Sequence, residues 1–173
     1  MIKRNRNFKG WKTDSDLLFI LEKIRHFCSY RERSEKEAEL RLKSMKVPSA
    51  KIKQILEQLR EDGFLSDERF ARAYVRGKWR VNQWGRVKIA FELKAKGIPE
   101  KLIHSSLIEI DKDSYRETLE MLIRKKTDEF HLRQKKENIS KKSLNIRDKI
   151  FNFALGKGYE PDLIDEILHE LKI

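Results

Sequence analysis

One pattern constrains the fold of this chain more than any other: a helix, a turn and a second short helix recur three times. The segment LKSMKVPSAKIKQIL (42–56) aligns with LKAKGIPEKLIHSSL (93–107) at a shift of 51, and NIRDKIFNFALGKGYEPDLIDEIL (145–168) follows at a further shift of 61. The alternative is coincidence between amphipathic helices, but turn residues align as well as apolar ones. Units of this size cannot bury their apolar faces alone, so they must stack on neighbours.

The aligned positions are a proline at the turn, a glycine in the last two copies, two apolar residues of the second helix and an arginine of the first. They are Pro48 and Pro99; Gly97 and Gly158; Ile52, Ile103 and Ile164; Leu56, Leu107 and Leu168; and Arg86 and Arg147. A further helix precedes each copy, so each unit contains three helices.

Helical periodicity accounts for nearly all of the chain, and no stretch alternates apolar and polar residues as a strand would. The pattern predicts helices near 14–31, 34–46, 49–62, 67–81, 86–96, 99–109, 113–139, 145–156 and 160–172. The prediction is an all-α protein: three tandem three-helix repeats in an elongated, solenoid-like array. Its segments are a basic arm (1–13) and repeats at 14–65, 66–111 and 112–173.

Local signals support these boundaries. Ser34 with Glu37 and Ser114 with Glu117 have capping-box spacing, and Ser66 precedes two acids at a helix start. Gly63 is expected to end a helix in the left-handed conformation. The apolar periodicity predicts a core of Leu40, Ile52, Leu56, Leu59, Phe70, Leu93, Ile103, Leu107, Ile164, Ile167 and Leu168.

Composition limits the class of protein. Apolar residues make up 39% of the chain and charged residues another 39%, which favours an elongated helical protein with a thin core over a large compact enzyme. Cys28 is the single cysteine, so a disulfide within the chain and a cysteine-based zinc site are excluded. The basic N-terminus lacks the apolar segment of a secretory signal, and no apolar run would span a bilayer. We expect a soluble, cytoplasmic monomer that does not bind membranes.

Enzyme motifs are absent from the sequence. There is no P-loop, because Gly156-Lys157-Gly158 reads as a helix stop, and no H-E-x-x-H pair. His26 and Cys28 are two residues apart and would not face each other on a helix. The sequence therefore predicts a protein that is not an enzyme, with no catalytic residue, no cofactor and no metal.

Positive charge is concentrated in the middle of the chain. The formal net charge is +12, and residues 69–97 contain nine basic residues against one acid, Glu92. Such a charge indicates a polyanionic partner, which is nucleic acid, an acidic protein surface or an anionic membrane. The arm at 1–13 is either a further nucleic-acid contact or a solubilising tail. The last repeat is acid-rich, so Lys157 and Lys172 are expected to lie outside any binding surface.

Four arginines of the fourth predicted helix share one face. At 100° per residue, they lie within an arc of about 80°, and we call them the arginine stripe: Arg69, Arg72, Arg76 and Arg80. Phe70, Tyr74 and Val81 lie on the predicted core side. Because this face carries no acid, an anion-binding surface is favoured over a solvated helix face.

Two tryptophans flank the connection after this helix. Trp84 either stacks on a base, anchors a protein interface or packs in the core, whereas core packing is the favoured interpretation for Trp79. The candidate filament- or DNA-contacting residues are Arg69, Arg72, Arg76, Lys78, Arg80, Trp84, Arg86 and Lys88.

The ordered motifs of this region resemble the RecX family of bacterial regulatory proteins. The run LREDGFLSDERFARAYVRGKWRVNQWGRVKIAFELKAKGI (59–98) matches the family's signature region through Gly63, Leu65, Asp67, Arg69, Phe70 and Ala71, and then Gly85, Leu93, Lys96, Gly97 and Ile98. RSEKEAELRLKSM (33–45) resembles the pattern of the family's first repeat. Two segments depart from the family: Val47-Pro48, where a glycine turn is common, and the lysine-rich stretch at 133–142.

The resemblance implies a curved chain of three-helix repeats that modulates the RecA recombinase. Family members lie in the groove of the RecA–DNA filament and interfere with ATP hydrolysis, strand exchange and co-protease action. The partners implied are the RecA filament and single- or double-stranded DNA, bound directly or within the filament. Two alternatives stay open: a general basic helical nucleic-acid-binding protein without a recombinase partner, and a structural adaptor that binds neither DNA nor filament.

Overall fold

The computed structural model of the protein describes residues 14–137 and 146–173, and all the secondary structure in these ranges is helical. The basic arm at 1–13 and much of the lysine-rich stretch at 133–142 lie outside the described residues. The helices are α1 (Asp14–Ser29), α2 (Glu35–Ser44), α3 (Ser49–Glu61), α4 (Asp67–Arg80), α5 (Arg86–Ala95), α6 (Glu100–Ile108), α7 (Lys112–Glu137), α8 (Ile146–Lys157) and α9 (Pro161–Glu170). Each bound lies within two residues of the sequence prediction, which confirms the all-α fold.

The chain forms two compact units, Met1–Phe70 and Ala71–Ile173, so that α4 begins in the first unit and continues in the second. The division into three repeats stays a prediction.

The first unit is built on α1, α2 and α3. Ser34 is fully buried, and its Oγ accepts the Glu37 N–H at 3.2 Å, which caps α2 as predicted. The Asp67 carboxylate of α4 accepts the Glu35 N–H at 3.0 Å and so joins the beginnings of two helices. The core of this unit is Ile20, Leu21, Ile24, Cys28, Ala38, Leu42, Val47, Ile52, Ile55, Leu56, Leu59 and Leu65.

In the second unit α5 packs on α6, and α7 packs on both α8 and α9. Arg116 of α7 forms ion pairs with Glu166 and Glu170 of α9 at 3.0 and 2.6 Å. Two of the acidic side chains of the last repeat thus have a basic partner within the same unit. The fully buried large side chains of this unit include Tyr115, Tyr159, Ile89, Leu93, Leu119, Ile123, Ile150, Ile164 and Ile167.

The turn between the second and third helix of each repeat has one geometry. The residue at its left-handed position is Lys46, Gly97 or Gly158, with φ of 59°, 81° and 89°. The residue that follows it donates back across the turn in the same way each time: Val47 N–H to Leu42 O, Ile98 N–H to Leu93 O and Tyr159 N–H to Ala154 O. The shifts of 51 and 61 are therefore structural equivalences, and Val47-Pro48 preserves the turn with a lysine in place of glycine.

Four sequence expectations need correction. Leu40 is 56% exposed, because the buried residues of α2 are Ala38 and Leu42, and a residue two positions from both lies on the opposite face. Leu107 is only half-buried. Helix α7 is capped by Asp111, whose Oδ1 accepts the Ser114 N–H and hydroxyl at 2.9 and 2.8 Å, so Ser114 is not the cap. Val81 is exposed because α4 ends at Arg80.

Candidate nucleic-acid interface

Helix α4 begins at a conventional cap and presents its arginines on the exposed side. The Ser66 Oγ accepts the Arg69 N–H at 3.3 Å, and Asp67 and Glu68 occupy the first turn, where carboxylates favour the positive end of the helix dipole. Phe70 and Val75 are buried. All four arginines of the arginine stripe are exposed.

The Arg69 side chain makes two hydrogen bonds within the first unit. Its Nε lies 3.0 Å from the Glu32 carboxylate, and its Nη2 donates to the Gly63 carbonyl oxygen at 2.7 Å. The guanidinium thus ties the beginning of α4 to the turn that precedes it. We therefore leave Arg69 out of the proposed contact surface.

Arg72 also has a carboxylate partner. Its Nε lies 2.8 Å from Glu109 Oε1, at the end of α6, with side-chain exposures of 49% and 41%. The sequence analysis took this face of α4 to be free of acids, but Glu68 of the first turn lies four residues before Arg72, and packing adds Glu109 from a different helix. Because an ion pair this exposed contributes little stability, a phosphate could take the carboxylate's place.

Arg76 and Arg80 are exposed, and within 14–137 and 146–173 no ion pair of either is found. They are four residues apart on one face, separated by about 6 Å of helix rise. The Arg80 guanidinium carbon lies 5.9 Å from the centroid of the Trp79 ring. Trp79 itself is half-buried, and its indole N–H is enclosed, consistent with the core packing expected of it.

Two lysines lie over the Trp84 ring. The Nζ atoms of Lys78 and Lys88 are each 4.6 Å from its centroid. The backbone N–H of Trp84 donates to the Lys78 carbonyl oxygen at 3.1 Å, which ties the backbone of this residue to the end of α4. Trp84 is half-buried, so it is neither wholly a core plug nor a free stacking platform. We call the set Arg76, Lys78, Arg80, Trp84 and Lys88 the basic ridge.

Arg86 has a packing role. Its Nη2 donates to the Ile110 carbonyl oxygen at 3.1 Å, and its guanidinium carbon lies 4.0 Å from the Tyr115 ring centroid. Arg147, its equivalent in the repeat, likewise donates to the carbonyl of Ile173 at 2.7 Å. In both repeats the arginine binds a carbonyl after the third helix. The alignment of Arg86 with Arg147 was thus a sequence signal of a structural residue.

Lys157, on the acid-rich last repeat, contacts the connection between α4 and α5. Its Nζ donates to the Asn82 carbonyl oxygen at 3.2 Å, and the Lys88 Nζ donates to the Gly156 carbonyl oxygen at 3.1 Å. Both lysines therefore neutralise carbonyls at helix ends. No sequence pattern signals the Lys157 contact, because its partner is 75 residues away.

The first turn of α5 is closed by protein groups. The N–H groups of Gly85 and Val87 donate to the carbonyls of Lys157 and Gly158 at 2.9 and 3.1 Å. The Arg86 N–H donates to the Tyr115 hydroxyl at 2.9 Å, which in turn donates to Glu160 at 2.7 Å. Burial raises the pKa of Tyr115, so this hydroxyl keeps its proton. The helix N-terminus is thus not an anion site.

Two kinds of site are not found in the described part of the chain. No group of three or more His, Cys, Asp and Glu side chains could hold a metal ion there. Nor does any helix of those residues combine the length and apolar character that crossing a bilayer requires.

Comparison with known proteins agrees with the helical repeats. The family model "RecX, second three-helix domain" matches residues 66–107. The regulatory protein RecX of Bacillus cytotoxicus is 33% identical over 147 residues, which cover 84% of this chain and 51% of that protein. The Clostridium perfringens protein of the same name is 32% identical over 143 residues, covering 80% and 62%. This chain thus spans about half the length of the first of these relatives.

A solved structure extends the likeness from sequence to fold. The crystal structure of RecX from Lactobacillus salivarius superposes with a TM-score of 0.77 at 26% identity, covering 92% of this chain and 99% of that one. The family model, the curated relatives and this solved structure agree with one another, and they show that the chain belongs to the RecX family.

Proposed function

We propose that the chain is a regulatory protein that binds the RecA–DNA filament and inhibits its ATPase, strand-exchange and co-protease activities. It would act in the cytoplasm as a monomer, without a cofactor or a catalytic step of its own. Family membership supports the class of function. The proposed contact with the filament rests on the basic ridge, where Arg76 and Arg80 are exposed beside Trp84 and the two lysines over its ring.

The basic ridge has the chemistry needed to follow a phosphate backbone. Arg76 and Arg80 are about 6 Å apart along the helix, which is close to two nucleotide steps of roughly 3.4 Å. A guanidinium binds a phosphate through two parallel hydrogen bonds, so each arginine can hold one phosphate. Arg72 joins them when a phosphate replaces Glu109.

The test is the DNA-dependent ATPase of RecA on single-stranded DNA, with this protein added in amounts too low to coat the DNA. We expect the wild type to slow hydrolysis. The double variant Arg76→Ala with Arg80→Ala should inhibit more weakly. The slope of log affinity against log salt should become shallower by about 1.4–1.8, because each lost phosphate contact removes about 0.7–0.9.

The matched control removes the same charge elsewhere. Lys51 and Lys53 are exposed residues of α3, and their double change to alanine should leave both inhibition and salt slope close to wild type. Equal behaviour of the two double variants would refute the role of the basic ridge.

A second candidate function is direct nucleic-acid binding without a recombinase partner. The placement of Trp84 between Lys78 and Lys88 favours it, since aromatic rings among cations serve single-stranded DNA binding in general. If inhibition requires enough protein to coat the DNA, and disappears on excess DNA, this second function is the correct one.

A further inference from the structure

A separate groove lies in the first unit, between α1 and α2. It is open to solvent and has a volume of about 590 Å³. Neither the basic ridge nor any residue of the signature region contributes to it. Its lining residues are Phe19, Glu22, Lys23, His26, Phe27, Tyr30, Arg33, Arg41 and Met45.

The side chains that line the groove are of an unusual kind. Four of the nine carry an aromatic ring or an imidazole, two carry a guanidinium group, and none is Leu, Ile or Val. Tyr30 is 83% exposed and Phe19 is 41% exposed, so two aromatic rings are accessible. A flat, unsaturated ligand can stack on such walls. An amphipathic peptide helix lays its apolar face into a hydrophobic groove, whereas five of the nine lining residues here are Glu, Lys, His or Arg.

Cations lie over the rings. The Arg33 guanidinium carbon is 3.9 Å from the Phe27 ring centroid, and the Lys23 Nζ is 4.1 Å from that of Phe19. Arg33 is held there by its Nε, which donates to the Phe27 carbonyl oxygen at 3.3 Å. The Arg41 guanidinium carbon approaches the Phe27 ring to 5.7 Å.

The cations of the groove are close enough to repel one another. The pKa of the Arg33 guanidinium is lowered, first by desolvation and then by the nearby positive charges of Arg31 and Arg41. Two acids lie among these cations: Glu37, whose carboxylate is 3.9 Å from both Arg31 and Arg33, and Glu22, which lines the groove. The cations still outnumber these two acids, so a bound anion would relieve the repulsion.

We infer that this groove binds single-stranded nucleic acid, with an unstacked base against Tyr30 and Phe19 and the adjoining phosphates on Arg33 and Arg41. Planar walls beside guanidinium groups fit both parts of a nucleotide. The inference stands apart from the proposed function, because it concerns a different unit and different residues.

The test compares two fluorescently labelled strands by anisotropy: a thymidine decamer and an abasic decamer with the same phosphates. The double variant Phe19→Ala with Tyr30→Ala should bind the thymidine decamer about 5- to 150-fold more weakly, the range for loss of one stacked base. Its affinity for the abasic strand should stay within about twofold. Leu18→Ala is the matched control, since Leu18 is 66% exposed on the same helix and does not line the groove.

Repeating the measurement in the Arg76→Ala, Arg80→Ala background separates the two proposals. In that background, Phe19→Ala with Tyr30→Ala should cause the same loss of base-dependent binding, whether or not the protein still inhibits RecA. A thymidine decamer carrying 4-thiothymidine should crosslink to Tyr30 or Phe19, as mapped by mass spectrometry. The inference is overturned if the wild type binds both decamers equally, or if the crosslinks form only at other residues. It is also overturned if the double variant binds both decamers as tightly as the wild type does, while an acidic peptide binds the groove.

Discussion

Gly85 and Gly158 meet backbone to backbone, with no room for a side chain between them. A Cβ on Gly85 would overlap the carbonyl of Gly158, and a Cβ on Gly158 would overlap the backbone and Cβ of Lys88. The contact joins the beginning of α5 to the turn after α8, and it lies beside Trp84 and Lys88 of the basic ridge. The stability of this joint therefore bears directly on the proposed interface.

Gly158→Ala should lower the free energy of unfolding by about 2–4 kcal/mol. The new methyl group must displace Lys88, and φ at this position is 89°, which disfavours any side chain. Gly156→Ala, two residues earlier in α8, meets nothing within 4 Å and should be neutral or stabilising by up to about 1 kcal/mol. Urea unfolding of both variants measures the difference, and equal stabilities would contradict the steric argument.

Tyr115→Phe should cost about 1–3 kcal/mol of stability, because it leaves the Arg86 N–H and the Glu160 carboxylate without their shared hydroxyl. Tyr30→Phe is the control, since the Tyr30 side chain is exposed and its hydroxyl has no such role. Chemical denaturation gives both values. A loss at Tyr115 no larger than at Tyr30 would show that the hydroxyl does not hold this joint.

Glu109→Gln should strengthen binding to single-stranded DNA and steepen the salt slope by about 0.7–0.9, because it removes a carboxylate that competes with a phosphate for Arg72. Glu100→Gln, in the first turn of the same helix, changes the net charge equally and should steepen the slope less. Titrations at several salt concentrations provide the comparison. If the two variants behave alike, only net charge matters and Arg72 makes no contact.

Leu42→Ala should destabilise the protein by about 2–5 kcal/mol, the usual cost at a fully buried leucine. Leu40→Ala, on the same helix but 56% exposed, should change stability by less than about 0.5 kcal/mol. The pair tests which face of α2 packs on the core. Similar losses from both, measured by thermal or urea unfolding, would place both leucines in the core.

Cys28 should react slowly with alkylating reagents in the folded protein. Burial raises the pKa of its thiol from 9.0 to about 11, so at pH 8 the thiolate fraction falls about a hundredfold. The rate of iodoacetamide labelling in buffer, set against the rate in denaturant, measures the effect. Comparable rates in the two conditions would mean that the thiol is accessible and ionises normally.

The repeat could be recognised from the sequence because each copy keeps the same short turn pattern. A left-handed turn followed by a helix start involves only neighbouring residues, so the alignment of Gly97 with Gly158 predicted the turn. At Lys46 the same turn forms without glycine, since the buried residues Leu42 and Val47 on either side fix the chain reversal.

The candidate site was less accessible to sequence reasoning, because its charges are paired across helices. Periodicity placed Arg72 on an exposed face correctly, but it gives no sign that Glu109 reaches it from the end of α6. Lys157 seemed remote for the same reason, although its ammonium binds the Asn82 carbonyl. Such pairings depend on how helices distant in sequence pack together, which no single helix encodes.

The junction of α8 with α5 has an electrostatic consequence. Carbonyls at the negative end of one helix macrodipole accept from amides at the positive end of another, so the two dipoles are arranged in series and neutralise each other's exposed ends. Since these partners are uncharged backbone groups at hydrogen-bond distance, mobile ions screen the junction far less than they screen contacts to phosphates. Ionic strength high enough to release a polyanion should therefore leave the junction closed, so the proposed interface beside it should keep its shape whether or not a polyanion is bound.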